Sequence, residues 1–307
     1  MNFTGEPSVA IILVNWNSYT HTRNCLISLR KVSYGNYKII VVDNASSDKS
    51  GDRLESKFEE IVLLRNEKNL GFTGGNNTGI NFALENGFEY LMLLNNDTEV
   101  LPDFLSLMME RMKADKEIGA IQPKFYFLNQ KERIWNAGGR FHPFLGLTQT
   151  IGKDEPNKAK YDQYKEVDWI TGCCFLVRSE IIEKIGGLTD KLFIYYEDVD
   201  WSFKIRELGY KLYIEPSSIV YHEAGMSHKK KEKGKEGYLN PIVHYLNARN
   251  HIWFLRKYIP WYYSVPVGLY SLFKYAGYFA YFLVRGRFIK IKFMFRGLKE
   301  GLFLKGI

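Results

Sequence analysis

Carboxylates and amides at the ends of apolar runs are the side chains of this chain equipped for chemistry. Tyr90–Leu94 is a short continuous apolar run of the kind that makes a strand buried on both faces, and it stops abruptly in Asn95-Asn96-Asp97-Thr98. An oxygen-rich cluster at such an edge suits a hard divalent cation that keeps waters and phosphates as its other ligands. The same four residues are also good turn and N-cap chemistry before a helix starting near Pro102. Three upstream runs end in the same manner. Residues 9–14 (VAIILV) stop at Asn15-Trp16-Asn17, and residues 37–42 stop at Asp43, with Asp48 close behind. Residues 61–64 stop at Arg65-Asn66 and lead to Asn69, Gly71, Gly74 and Gly75. Asp and Asn side chains can hydrogen-bond a base or ribose, and a glycine-containing loop can approach a diphosphate closely. Each is equally a turn former when taken alone.

A second cluster, Glu197-Asp198-Val199-Asp200, opens a helix running to Leu208 and ending at Gly209. Acids in a first helical turn are favoured by the macrodipole, which is a structural reason for all three. The functional reading is that one of them, held ionised at the helix N-terminus, serves as a general base. Asp198, Ser202 and Arg206 share a face at i, i+4 and i+8, so Arg206 becomes a candidate for charge on a diphosphate. His222 follows a short strand over 219–221, beside Gly225 and Ser227, in a place for metal or phosphate contact. The basic run 229–235 reads as a solvated loop with the option of closing over a ligand.

The elements that must position these residues follow an alternating rhythm. Strands at 9–14, 37–42, 61–64 and 90–94, separated by helical stretches, imply βαβ units: an α/β fold with a mostly parallel central sheet flanked by helices. The rhythm breaks after about residue 122. A hairpin around 135–141, a polar loop over 153–165, a buried strand over 169–177 broken by Gly172, and a helix from Ser179 follow. Residues 211–214 and 219–221 read as two short strands. The expected organisation is therefore a 1–122 half, a 123–235 half of the same domain, and a C-terminal region, 236–307.

Composition narrows the function. With 307 residues, 46% apolar and 25% charged, the chain is globular. It has neither GxGxxG after the first strand nor a P-loop, which disfavours NAD enzymes and P-loop NTPases. Three cysteines form no disulfide framework, and Cys173-Cys174 reads as core packing in a reducing, cytoplasmic setting. The N-terminal run is too short for a signal peptide. Seven basic residues from Arg285 to Lys305 face Glu300 alone, so the last segment carries +6 of the formal +8 and the body need not bind nucleic acid. A helix over 238–257 precedes an aromatic, nearly uncharged stretch over 259–284, whose Lys274, Tyr278, Tyr281 and Arg285 share one face. That pattern fits an amphipathic segment lying at the cytoplasmic membrane surface better than a span or a packed homodimer face.

In order along the chain, VAIILVNWN (9–17), IIVVDNASSD (39–48), NLGFTGGNNTGI (69–80), LLNNDTEV (93–100), TGCCFLVRSE (171–180), YYEDVDWSFKIRELGY (195–210) and IVYHEAGMSH (219–228) resemble inverting glycosyltransferases of family 2, and among them the bacterial rhamnosyltransferase-like members. The resemblance implies the GT-A fold and a nucleotide-diphosphate sugar as donor, dTDP-rhamnose or a UDP-sugar. It implies a glycan or lipid-linked glycan as acceptor. It places Asn15, Asp43, Asp48, Asn69 and Gly74 at the nucleotide. Asn96 and Asp97 match the end of the DxD motif, which holds Mg2+ or Mn2+, and His222 matches a metal or phosphate contact. Asp198 matches the catalytic base. Asn95 departs from the motif, because a neutral amide stands where an acid is usual. A non-catalytic scaffold of the same fold, binding nucleotide-sugar or glycan, is the alternative reading.

Overall fold

The computed structural model describes residues 5–223, 229–234 and 236–303. Gly225, Ser227 and Lys235, as well as Lys305 of the basic tail, lie outside the described residues. The N-terminal half runs β1 (Val9–Asn15), α1 (Tyr19–Leu29), β2 (Tyr37–Asp43), α2 (Ser50–Glu55), β3 (Val62–Arg65), α3 (Gly71–Glu85), β4 (Tyr90–Leu94), β5 (Thr98–Val100) and α4 (Phe104–Ala114). It continues with β6 (Ile118–Phe127), β7 (Gln130–Asn136), β8 (Gly139–His142), β9 (Leu147–Thr150), β10 (Lys165–Glu166), β11 (Cys174–Arg178), α5 (Ser179–Ile185), α6 (Glu197–Glu207) and β12 (Lys211–His222). The C-terminal part comprises β13 (Lys229–Gly234), β14 (Gly237–Leu239), α7 (Pro241–Tyr258), α8 (Ser264–Val284) and α9 (Phe288–Phe303).

The main sheet has the order β10-β12-β6-β11-β4-β1-β2-β3, with β5 on β12 and β7 on β6. The expected parallel arrangement holds where the βα rhythm is regular: β4, β1, β2 and β3 are parallel neighbours. Beyond β4 the sheet is mixed rather than mostly parallel, because β11 enters antiparallel between β4 and β6. Strict alternation along β1 sends Val9, Ile11 and Leu13 to one core with Leu26, Phe104 and Met108, and Ala10 and Ile12 to another with Ile80, Ile181 and Trp201. Helices therefore cover both faces, and the polar residues that end each strand stay at the sheet's edge.

Three local expectations are corrected. The glycine-containing loop after Asn69 is helical from Gly71: a Cβ on Gly75 would stand 2.8 Å from Val14 Cγ1, and one on Gly79 would stand 2.5 Å from Ile12 Cγ2. These glycines let α3 lie close on β1, a packing reason rather than a flexible one. Residues 211–222 form one strand with a bulge between Glu215 and Ile219, not two. The basic run 229–234 is a strand paired antiparallel with β14, not a loop. In addition, the buried strand expected from residue 169 starts only at Cys174, after Gly172.

The chain divides into two compact units. The first contains residues 1–140, 150–193 and 197–224; the second contains 141–149, 194–196 and 225–307. Within the second unit, Asn240 accepts from Ile242 N ahead of Pro241 and starts α7. A Cβ on Gly297 of α9 would lie 2.3 Å from Tyr245 O, and one on Gly301 would lie 2.6 Å from Arg249 O, so two glycines one turn apart bring α9 against the α7 backbone.

Candidate active site

All ten residues singled out as site candidates belong to the first unit. Asn15 is wholly buried at the end of β1 and in register with Asp43 at the end of β2. Its Nδ2 donates to Asp43 Oδ1 (2.8 Å), Ser50 Oγ (2.7 Å) and Ser46 Oγ (3.1 Å), while its Oδ1 accepts from Thr22 Oγ1 at 2.8 Å. The amide is saturated by the protein, so Asn15 orients Asp43. Asp43 Oδ2 also accepts from Ser46 N at 3.3 Å. Asp48 is exposed and closes its own turn by accepting from Ser50 N at 2.9 Å. Asn69 Oδ1 accepts from Gly71 N and from Asn44 Nδ2, and Gly74 lies inside α3 against Leu70.

From the end of β4, Asn96 Nδ2 donates to Thr22 Oγ1 at 2.8 Å and so joins the same network. Asn95 turns the other way, with its Nδ2 on Cys173 Sγ and its N–H on Cys173 O. Asp97 Oδ1 stands 3.2 Å from His222 Nε2, brought there by the pairing of β12 with β5. Neither Asp97 Oδ1 nor His222 Nδ1 has a hydrogen-bond partner among the described residues, although both are buried. Burial opposes the charge on Asp97, but the His222 imidazole, an amide bond and His21 outweigh it and hold the carboxyl below its ordinary value. The edge of the Trp135 ring stands against His222 with centroids 4.3 Å apart.

These two groups pass a test of fit for a divalent cation. Cis ligands about 2.1 Å from an octahedral Mg2+ or Mn2+ lie about 3 Å apart, close to the carboxylate–imidazole separation here. An orphaned, ionised carboxylate oxygen is the donor such an ion wants. No third His, Cys, Asp or Glu joins them among the described residues, so waters and substrate phosphates would complete the shell.

Asp198, in the first turn of α6, accepts from Gly172 N at 3.0 Å through Oδ2 and from Val199 N at 2.8 Å through Oδ1. Gly172 explains the late start of β11: its N–H turns to the carboxylate instead of a neighbouring strand. Burial raises the Asp198 pKa against the pull of these amides. Glu197 is buried with no hydrogen-bond partner for Oε2 among the described residues, and burial together with the Asp198 charge pushes its carboxyl well above the ordinary range. Two adjacent acids are thus set apart, Asp198 anchored by backbone amides and Glu197 pushed towards its neutral form by burial and the Asp198 charge. Asp200 turns inward to Thr189 and Lys204. Arg206 lies two turns further on and contacts Asp168, with Nη2 at 3.5 Å from Oδ1.

Several working residues carry no local signal. Thr22, Ser46 and Ser50 tie Asn15 to both neighbouring strand ends, and Asn44 gathers Asn66, Asn69, Leu70 and Gly71. Their one legible mark was repetition of small polar types after each strand. The cysteines are structural: burial pushes the Cys25 thiol up to about 12 and those of Cys173 and Cys174 well above the usual value.

With this geometry in hand, comparison defines the class. A solved structure described as GalNAc-T7 with UDP, GalNAc and Mn2+ superposes with a TM-score of 0.63 at 17% identity, over 82% of this chain and 48% of that one. The fold is that of the GT-A glycosyltransferases. Residues 10–186 match Glycosyl transferase family 2, and the chain belongs to that family. The low-salt glycan biosynthesis hexosyltransferase Agl10 of Haloferax volcanii is 28% identical over 200 residues, 64% of this chain and 61% of that protein. The dTDP-rhamnosyl transferase RfbF of Shigella flexneri is 22% identical over 268 residues, 87% and 86% of the two chains. The chain spans 61% of Agl10 and only 25% of another relative, the uncharacterized protein y4gI of Sinorhizobium fredii.

Proposed function

We infer that the protein transfers a sugar, rhamnose from dTDP-rhamnose or a hexose from a UDP-sugar, onto a hydroxyl of a glycan or lipid-linked glycan, with inversion. The observation that carries this reading is the hydrogen-bonded continuity of the strand ends. Asp43, Asn15, Thr22 and Asn96 form one chain of contacts, and Asn95 continues through Cys173 to the Gly172 amide that holds Asp198. A donor-side carboxylate and a candidate base are thereby fixed to one edge of one sheet.

In this reading Asp43 orients the nucleoside, and Asp198 takes the proton of the acceptor hydroxyl as its oxygen attacks the anomeric carbon. The new glycosidic bond forms on the face opposite the nucleotide diphosphate, whose C–O bond breaks and whose oxygen keeps the electron pair. Burial makes Asp198 a stronger base than a free aspartate, and the two backbone amides hold its oxygens in place. A divalent cation held by Asp97 and His222 would supply positive charge to the departing diphosphate, in keeping with Mn2+ in the GalNAc-T7 structure. Release of nucleotide diphosphate from a panel of dTDP-, UDP- and GDP-sugars with Mn2+ tests the reading; donor binding without release, given membrane glycolipid extract as acceptor, favours the scaffold alternative.

The second unit is the membrane-facing part in this proposal. Among the described residues no helix is long and apolar enough to cross a membrane. Yet Leu272, Phe273 and Val284 of α8 and Phe288, Ile289 and Phe303 of α9 are all exposed, beside the exposed basic residues Arg285, Lys292 and Lys299. Apolar side chains flanked by cations match the headgroup region of an anionic bilayer. In this reading the enzyme works at the inner face of the cell membrane, and these exposed apolar and basic side chains are what support it.

A further inference from the structure

A cavity of 660 Å³ in the second unit is lined by Leu147, Thr148, Tyr196, Tyr270, Lys274, Gly277, Tyr278 and Tyr281. Five of these lie along α8, with Tyr270, Lys274, Tyr278 and Tyr281 at three- to four-residue intervals and Gly277 beside Tyr278, so one stripe of that helix forms the wall while Leu272 and Phe273 face outward. The remaining walls are Leu147 and Thr148 at the start of β9, and Tyr196.

The Tyr196 wall is built at a conformational cost. Tyr195 and Tyr196 have φ of +74° and +69°, in the left-handed region that non-glycine residues avoid. The buried Asn250 holds them there by donating from Nδ2 to Ile194 O at 2.9 Å and Tyr195 O at 2.8 Å, and the Tyr196 ring packs on His251 and Phe254. In the chain, Tyr196 is two residues before Asp198.

The lining is specific in its chemistry. Four phenol rings offer flat apolar faces and hydroxyls, the surface that a sugar ring stacks on and hydrogen-bonds. One ammonium, Lys274, is the only charged side chain among the lining residues. Burial pulls it down to about 8, the mark of a cation short of water. Gly277 keeps the floor open: a Cβ there would meet nothing within 4 Å.

We propose that this cavity takes a sugar bearing a phosphate, with the ring against Tyr196, Tyr270, Tyr278 and Tyr281 and the phosphate on Lys274. The proposal rests on the transferase reading. The shared chemistry, a phosphosugar, can come from a soluble sugar phosphate or from a glycan joined to a lipid through phosphate.

The test is calorimetric titration of the full chain with N-acetylglucosamine 1-phosphate, with its neutral methyl glycoside, and with farnesyl-diphospho-N-acetylglucosamine in detergent. The phosphosugar should bind about tenfold to 100-fold tighter than the methyl glycoside, as a charge-assisted contact does. Lys274→Gln should erase that preference. Gly277→Phe should abolish binding of all three probes, without a packing clash at that open position. Both variants should bind nucleotide-sugar as the wild type does, which also shows that they fold. Tighter binding of the farnesyl probe assigns the lipid-linked source, and equal binding of the two phosphorylated probes assigns the soluble one. Equal affinity for charged and neutral sugars, or a preference surviving Lys274→Gln, overturns the proposal. Failure of the wild type to bind any nucleotide-sugar instead overturns the transferase reading, and the cavity measurement stands apart from it.

Discussion

Replacing Asp198 with Asn removes the proposed base while keeping its shape, and the structure sets the size of the effect. Loss of general-base assistance costs about 10²- to 10⁴-fold in kcat, or about 3–5 kcal/mol of transition-state stabilisation. The fold pays attention to the same change. Asp198 accepts from two backbone amides, and an Asn has one acceptor oxygen, so either the Gly172 or the Val199 N–H loses its partner. An orphaned buried N–H costs about 1–3 kcal/mol. Burial works in the other direction: because the folded pKa of Asp198 is raised, its stabilising contribution exists at low pH and is lost as pH rises through that value. A neutral amide escapes that loss, so the two terms partly cancel and the melting temperature should move by less than about 6 °C. The assay is nucleotide release at saturating donor and acceptor, with donor Kd measured in parallel. The wild-type rate should fall as pH drops through the raised pKa of Asp198, about tenfold per unit, towards the flat profile of the variant. A variant rate within tenfold of wild type, with donor binding intact, would refute the assignment of Asp198 as base.

Glu197→Gln should retain activity within about threefold, because burial and the neighbouring Asp198 charge already disfavour the ionised carboxyl; a loss comparable to that of Asp198→Asn would mean that Glu197 is charged in the working enzyme. Asp97→Asn should weaken nucleotide-sugar binding about 10- to 100-fold in Mn2+ and leave binding in EDTA unchanged. Equal loss in both media would make Asp97 a structural residue. In flotation assays the protein should bind phosphatidylglycerol vesicles and not phosphatidylcholine vesicles, with affinity falling as salt is raised. Arg285→Gln with Lys292→Gln should weaken that binding about 30-fold, taking about 1 kcal/mol for each cation near an anionic surface; indifference to vesicle charge would overturn the membrane proposal.

Elements whose signals are local were legible in the residues alone. The β-branched run of β1, the apolar run of β4 and the acids opening α6 are each decided by neighbours a few residues away, and the structure forms them where those patterns lie. The order of motifs was enough to point to family 2. The rest depends on partners far apart in the chain. The pairing of β11 with β4 makes the sheet mixed, a choice between edges that no single strand encodes. The glycines of α3 look like a flexible loop until Ile12 and Val14 lie beneath them. Asn15 and Asp43 read alike as polar strand ends, yet one is saturated by Thr22, Ser46 and Ser50 and the other is the group it orients. Asp97 meets His222 across 125 positions, and Lys274 acquires a cavity whose walls come from three separate segments, β9, Tyr196 and α8. Local propensity fixes what a segment becomes, whereas hydrogen-bond saturation, burial and charge environment are properties of contacts that exist only once the chain has folded.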